Sequence, residues 1–167
     1  MRINKTILWL VGNQQAGKTT FTKLFNDYDI QCLNIGESLR TTITPEQFAQ
    51  QSNPYAPEFV EKTVQGMIYN AISEFQKSDL SLLVIDSAPR NMQQFKIVKK
   101  MNGTFNTTVM FILEKTHIRT ERARKKYGDS YINELFLKRE PFEKQWLDEL
   151  AKNCDDRNIN RILIGKQ

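Results

Sequence analysis

The sequence predicts an α/β domain: a parallel β-sheet with helices packed on both of its faces. Three observations predict it. Apolar runs of strand length recur along the chain without the alternation of a half-exposed strand, which suits strands buried on both sides. Segments with a 3.6-residue apolar period lie between those runs, and such alternation marks parallel strands joined by helical crossovers. The first run ends in a glycine-bearing turn that opens directly into a helical segment. At 167 residues the chain is one domain in length.

The elements follow in order. Thr6 to Val11 is the first strand, and it ends at Gly12. Lys18 to Asn26 is a helix with Phe21, Leu24 and Phe25 on one face. Gln31 to Ile35 is a short candidate strand. Thr41 to Pro57 is rich in Gln, Asn and Pro and reads as a loop. Glu58 to Phe75 is helical, with Val60, Val64, Met67, Ile68, Ile72 and Phe75 in period. Leu80 to Ile85 is a strand that ends at Asp86. Asn91 to Met101 is a helix carrying Phe95 and Val98. Thr107 to Leu113 is a strand that ends at Glu114. Lys115 to Ser130 is rich in basic residues and reads as a loop. Glu134 to Ala151 is a helix with Leu135, Phe142, Trp146, Leu147 and Leu150. Arg161 to Ile164 is a last short strand. No repeat, low-complexity tract or linker interrupts the series.

Composition narrows the function classes. Forty per cent of the residues are hydrophobic, enough for a core, and the net charge is +5. No apolar run reaches the ~18 residues that cross a bilayer. The N-terminal apolar run is too short for a signal peptide and has no small-residue cleavage site after it, so a cytoplasmic protein is expected. The two cysteines, Cys32 and Cys154, form no Cys-x-x-Cys pair, which argues against zinc and against a disulfide framework. The single histidine, His117, excludes a His cluster. The excess positive charge fits nucleic acid or a site for small polyanions.

One motif decides between these. Gly12-Asn13-Gln14-Gln15-Ala16-Gly17-Lys18-Thr19 fits G-x-x-x-x-G-K-[ST], which average composition would produce in roughly one chain in two hundred of this length. A buried strand precedes it and a helix follows, as a P-loop requires. The glycines let the backbone turn its N–H groups inward around phosphate. The helix that follows aims its positive end at the same place. Gly12 through Thr20 is therefore expected to hold ATP. Lys18 reaches the β- and γ-phosphates, and the Thr19 hydroxyl is placed for Mg²⁺. Asp86, at the end of an apolar strand, is the candidate acid on the metal side, with a turn or cap residue as the plainer alternative.

At Asp86-Ser87-Ala88-Pro89-Arg90 the chain resembles the Asp-Gly-Phe-Pro-Arg motif of the adenylate kinase-like nucleoside monophosphate kinases, with Gln94 four residues on. Ile35-Gly36-Glu37-Ser38-Leu39-Arg40 is similar to that family's Thr-Gly-Asp-x-Leu-Arg segment. Lys138-Arg139, Phe142 and Gln145 are similar to the helix after its lid. The resemblance implies a three-layer P-loop fold with a five-stranded parallel sheet in the order 2-3-1-4-5. It implies a core of residues 1–35, 79–114 and 131–167, an acceptor-binding insertion at about 36–78 and a short lid at about 115–130. Gly36, Arg40, Arg90 and Gln94 would hold the acceptor, and Tyr55 or Phe59 would stack on its base or simply pack. Arg119 would lie beside the donor nucleotide. Arg122, Arg124 and Arg139 would stabilise the transferring phosphoryl group, with the choice between the first two left open. Positioning and positive charge are what phosphoryl transfer needs, and arginine forks supply both.

Three departures bear on the acceptor. The loop is closer to the general P-loop than to the family's Gly-x-Pro-Gly-x-Gly-Lys-Gly-Thr. Ile35 replaces the threonine that helps recognise adenine, and Ser87-Ala88 replaces Gly-Phe. The expected activity is ATP-dependent transfer to a nucleoside or deoxynucleoside monophosphate. The alternatives are another small-molecule or polynucleotide acceptor, and a nucleic-acid-associated NTPase motivated by the basic stretch 119–126. Nucleotides are the expected partners, ahead of nucleic acid, with no membrane partner and a monomeric state.

Overall fold

In a computed structural model, residues 4–25, 29–47 and 58–165 are described. The strands are β1 (Thr6–Val11), β2 (Gln31–Asn34), β3 (Leu82–Asp86), β4 (Asn106–Leu113) and β5 (Asn160–Gly165). The helices are α1 (Lys18–Thr22), α2 (Ile35–Thr42), α3 (Glu58–Lys77), α4 (Met92–Met101), α5 (Thr116–Tyr127) and α6 (Leu137–Asp156). All strands are parallel, in the order β2-β3-β1-β4-β5. This is the α/β class expected from the sequence pattern and the strand order implied by the resemblance.

The middle of the sheet is buried because β1 is apolar on both faces, while the edge strand β5 is largely exposed. Ile7, Trp9 and Val11 point to one side, where they meet Val64, Ile68, Ile72 and Phe75 of α3, Phe95 and Val98 of α4, and Leu150 and Cys154 of α6. Leu8 and Leu10 point to the other side, against Ala16, Phe21, Phe25 and Ile30. The apolar area removed from water on both faces is the main force holding the layers together.

Register positions the functional end. Leu10 pairs with Asp86 on one side and with Met110 on the other, and Asn34 also pairs with Asp86. The chain leaves β1 between two strands whose connections run in opposite directions. Open α/β sheets place their ligand crevice at such a switch point, beyond the carboxyl ends of the strands.

Several expectations need correction. Lys115 to Ser130 is not a loop: it contains α5 and the start of a further one-turn helix (Asp129–Tyr131), which a π-helical turn (Ile132–Phe136) joins to α6. The helix escaped notice because it has no apolar period, and its buried residues are Arg119 and Ala123. The Thr41–Pro57 loop begins inside α2, whose end is at Thr42, and residues 45–47 are helical. Its remainder, with Tyr55, lies outside the described residues. The α1 helix stops at Thr22 and tightens into a 3₁₀ turn (Lys23–Phe25), which leaves Leu24 68% exposed. The apolar face assigned to residues 134–151 is narrower than expected: Leu135 is 44% exposed and Phe142 48%. The π-helical turn Ile132–Phe136 inserts extra residues before α6 and rotates the faces that follow.

Candidate active site

The loop between β1 and α1 has the backbone of a phosphate cradle. Gln15 and Gly17 take positive φ, 61° and 102°. At Gly12 the need is for space: a Cβ there would lie 2.5 Å from the Ile112 carbonyl oxygen of β4. Lys18 folds back over the loop and donates to the Gly12 and Asn13 carbonyls at 2.9 and 3.0 Å. Thr19 and Thr20 open α1 and are exposed toward the same end.

Asp86 is 1% exposed at the end of β3. A buried carboxylate must be satisfied, and three donors reach it: Thr19 Oγ1 at 3.3 Å, Asn34 Nδ2 at 3.2 Å and Ser87 Oγ at 2.9 Å. Thr19 and Asp86 thus stand together, a hydroxyl beside a carboxylate. Among the described residues no group of three or more His, Cys, Asp or Glu side chains could hold a metal. One carboxylate and one hydroxyl fit Mg²⁺, which takes few protein ligands and completes its shell with water and substrate phosphate.

Cations converge on this point. Burial pushes the Lys18 ammonium down to about 8, helped by Arg90 and Arg139 and opposed by Glu143 and Asp86. Burial, with Arg139 beside it, also lowers the Arg90 guanidinium. Lys18, Arg90, Arg139, Asp86 and Glu143 therefore form one charge cluster. Arg90 is held by the turn after β3: its N–H donates to Gln94 Oε1 at 2.8 Å and its Nε to the Ser87 carbonyl at 3.0 Å. Trp146 of α6 steadies that turn by donating to the Pro89 carbonyl at 2.9 Å. Arg139 lies 4.0 Å from Glu143, and its Nε is buried without a hydrogen-bond partner among the described residues. An unmet donor beside a phosphate cradle fits a site for an oxyanion.

The remaining candidates divide. Arg122 lies on the loop, donating to the Gln15 carbonyl at 3.0 Å while pairing with Glu114 at 3.0 Å. Arg124 does not join the site. It is exposed and pairs with Asp129 at 2.7 Å and Glu121 at 2.9 Å on its own segment. Arg119 is 3% exposed and makes a two-pronged pair with Glu140 at 2.6 and 2.8 Å, with Gln14 O at 3.4 Å. Gly36 and Arg40 sit on α2, which Asn34 caps by accepting from the Glu37 N–H at 2.9 Å. Gln94 is buried with both ends of its amide engaged: Oε1 by the Arg90 N–H, and Nε2 donating to Glu61 at 3.2 Å.

The sequence reading missed Glu143, Tyr131 and Asn34. Glu143 accepts the Gln14 N–H at 3.2 and 3.3 Å, and Tyr131 donates to Gln14 Oε1 at 2.9 Å. Glu143 had a signal: it stands four residues after Arg139, the spacing that puts two side chains on one helix face.

Sheet order, glycine cradle, helix-start lysine and the facing Asp86 define a P-loop α/β domain. The fold is also found in a solved structure from work on the PezAT chromosomal toxin–antitoxin system of Streptococcus pneumoniae. The two share 17% identity with a TM-score of 0.64, over 97% of this chain and 69% of that one. At that identity the likeness is one of fold. No protein-family model matches the chain, and no curated protein matches it.

Proposed function

We propose that the chain is an ATP-dependent phosphotransferase, and that its acceptor is a nucleoside or deoxynucleoside monophosphate. The observation that carries the reading is the mutual influence of the Lys18, Arg90 and Arg139 charges at the P-loop, beside the Thr19–Asp86 pair. A loop that only bound a nucleotide would need Lys18. Two further guanidiniums on the same point suit a second anion brought up to the first, and charge that spreads over a phosphoryl group in flight.

Lys18 and the loop amides would hold the donor's β- and γ-phosphates. Arg90 would hold the acceptor phosphate, positioned by Gln94, Ser87 and Trp146. Arg139 and Arg122 would approach from the lid side. Thr19 and Asp86 would hold a Mg²⁺, which when bound neutralises charge on the donor phosphates. An acceptor phosphate is already ionised at neutral pH, so the reading requires no general base.

The test is a coupled assay across all ribo- and deoxyribonucleoside monophosphates. Turnover with at least one is expected. ATP binding without turnover on any of them would exclude this acceptor class. A second reading keeps the donor half and changes the acceptor to another small molecule. Gln94 favours it, because its amide is already committed to Arg90 and Glu61 and reaches a base only by breaking those bonds. ATP-dependent labelling of a different metabolite would select it.

A further inference from the structure

Glu143 is an acid where the P-loop reading calls for none. It lies on α6, 129 residues along the chain from Gln14, yet its carboxylate accepts the Gln14 backbone N–H with both oxygens, at 3.3 and 3.2 Å. Gln14 belongs to the glycine loop whose amides hold phosphate oxygens. The same carboxylate lies 4.0 Å from Arg139. It also acts electrostatically on Lys18 and Arg90. A carboxylate with an inward amide and three surrounding cations has the environment of a bound phosphate oxygen.

The neighbouring bonds hold Glu143 in place. Every polar group of Gln14 is engaged by the stretch from α5 to α6. Its N–H goes to Glu143, its carbonyl accepts from Arg119 at 3.4 Å, its Oε1 from Tyr131 at 2.9 Å, and its Nε2 donates to the Phe136 carbonyl at 3.0 Å. Arg139 in turn donates to Tyr131 Oη at 3.4 Å. The loop and the start of α6 are one hydrogen-bonded unit, with Glu143 as its anion.

We propose that Glu143 is the cradle's built-in counter-anion: it holds the place a donor's terminal phosphate takes, and yields that place when polyphosphate binds. The inference rests on the reading that the loop binds polyphosphate. Its physical basis is charge balance. Lys18, Arg90 and Arg139 repel one another at close quarters, and with Glu143 present two carboxylates oppose three cations. A terminal phosphate brings more charge than one carboxylate and replaces it. Glu143 therefore stabilises the protein in the absence of ligand and competes with the ligand, and the two effects have opposite signs on its removal.

The test uses the full chain, inorganic tripolyphosphate and pyrophosphate as probes, and calorimetric titration alongside thermal melting. Glu143→Gln keeps an acceptor for the Gln14 N–H but removes the charge. It should bind tripolyphosphate about tenfold more tightly, gain less than threefold for pyrophosphate, and melt lower than the parent without ligand. Unchanged or weaker tripolyphosphate binding would overturn the proposal, since a purely structural glutamate lowers stability and affinity together. If Glu143→Gln does not fold, Glu143→Asp carries the same test, because it keeps the charge but withdraws it from the amide; an intermediate gain is expected and no gain is contrary. Lys18→Ala separates the two readings. If it loses tripolyphosphate binding while Glu143→Gln matches the parent, only the counter-anion idea fails. If it binds as the parent does, the phosphate reading fails and takes this proposal with it.

Discussion

Lys18 works at the edge of its own titration. Its ammonium is pushed down to about 8 by burial and by Arg90, from an ordinary value of 10.5. The charged form is the one that holds phosphate, so kcat/KM for ATP should fall as pH rises through about 8. Lys18→Arg, which stays charged, should flatten that fall. The stability effect has the opposite slope. Between the folded and unfolded values the unfolded chain binds more protons, so the ligand-free protein should gain stability from pH 8 toward 10.5. Denaturant titrations at several pH values check this. Ser87 shows a different residue-scale constraint. It takes φ 79° where the resembled motif has glycine, and its hydroxyl donates to Asp86 at 2.9 Å. A side chain in left-handed backbone costs about 1 kcal/mol. Ser87→Gly should therefore be more stable than Ser87→Ala by about 1 kcal/mol in urea, because both lose the hydroxyl and only glycine relieves the backbone.

At the scale of elements, helix ends and turns place the site. Lys5, just before β1, donates to the Phe75, Ser78 and Leu80 carbonyls at 2.8, 2.6 and 2.8 Å, and so closes the C-terminal end of α3. A cation satisfying helix-end carbonyls is favoured both as a donor and by the helix dipole. Lys5→Met should cost roughly 1–3 kcal/mol, read as a lower melting temperature with ATP affinity unchanged, since Lys5 is remote from the loop. The strands and α3 were legible in the sequence because burial on both faces, or on one stripe, leaves a periodic trace. α5 left none. It is a polar helix whose buried polar side chain, Arg119, is satisfied by Glu140 of α6, 21 residues on. Pairings of that kind have no period. The site divides on the same line. The loop, Asp86 and Arg90 stand at strand ends and were readable as motifs. Glu143 reaches the loop from a helix whose phase is set by a π-helical turn, and Tyr131 from the one-turn helix before that turn, in a stretch with no apolar period to place it.

The whole molecule is built on a parallel sheet with a buried centre that brings four things to one end: the loop after β1, Asp86 ending β3 with Arg90 beyond it, Asn34 ending β2, and the α5–α6 segment after β4. A ligand bound there should stabilise the fold by mass action, about 2.7 kcal/mol at one hundred times its dissociation constant. For a chain of this size that is several degrees in melting temperature. Lys18→Ala should abolish the shift with ATP. A shift that survives Lys18→Ala would place the nucleotide elsewhere. Phosphoryl transfer is tested most directly by following the terminal phosphoryl group of γ-labelled ATP in the presence of each nucleoside monophosphate. The label should pass to at least one acceptor, with ADP formed in equal amount, and stay in ATP with Lys18→Ala. ATP bound at Gly12–Thr19 whose label stays in place or appears only as inorganic phosphate, whatever the acceptor, would contradict it.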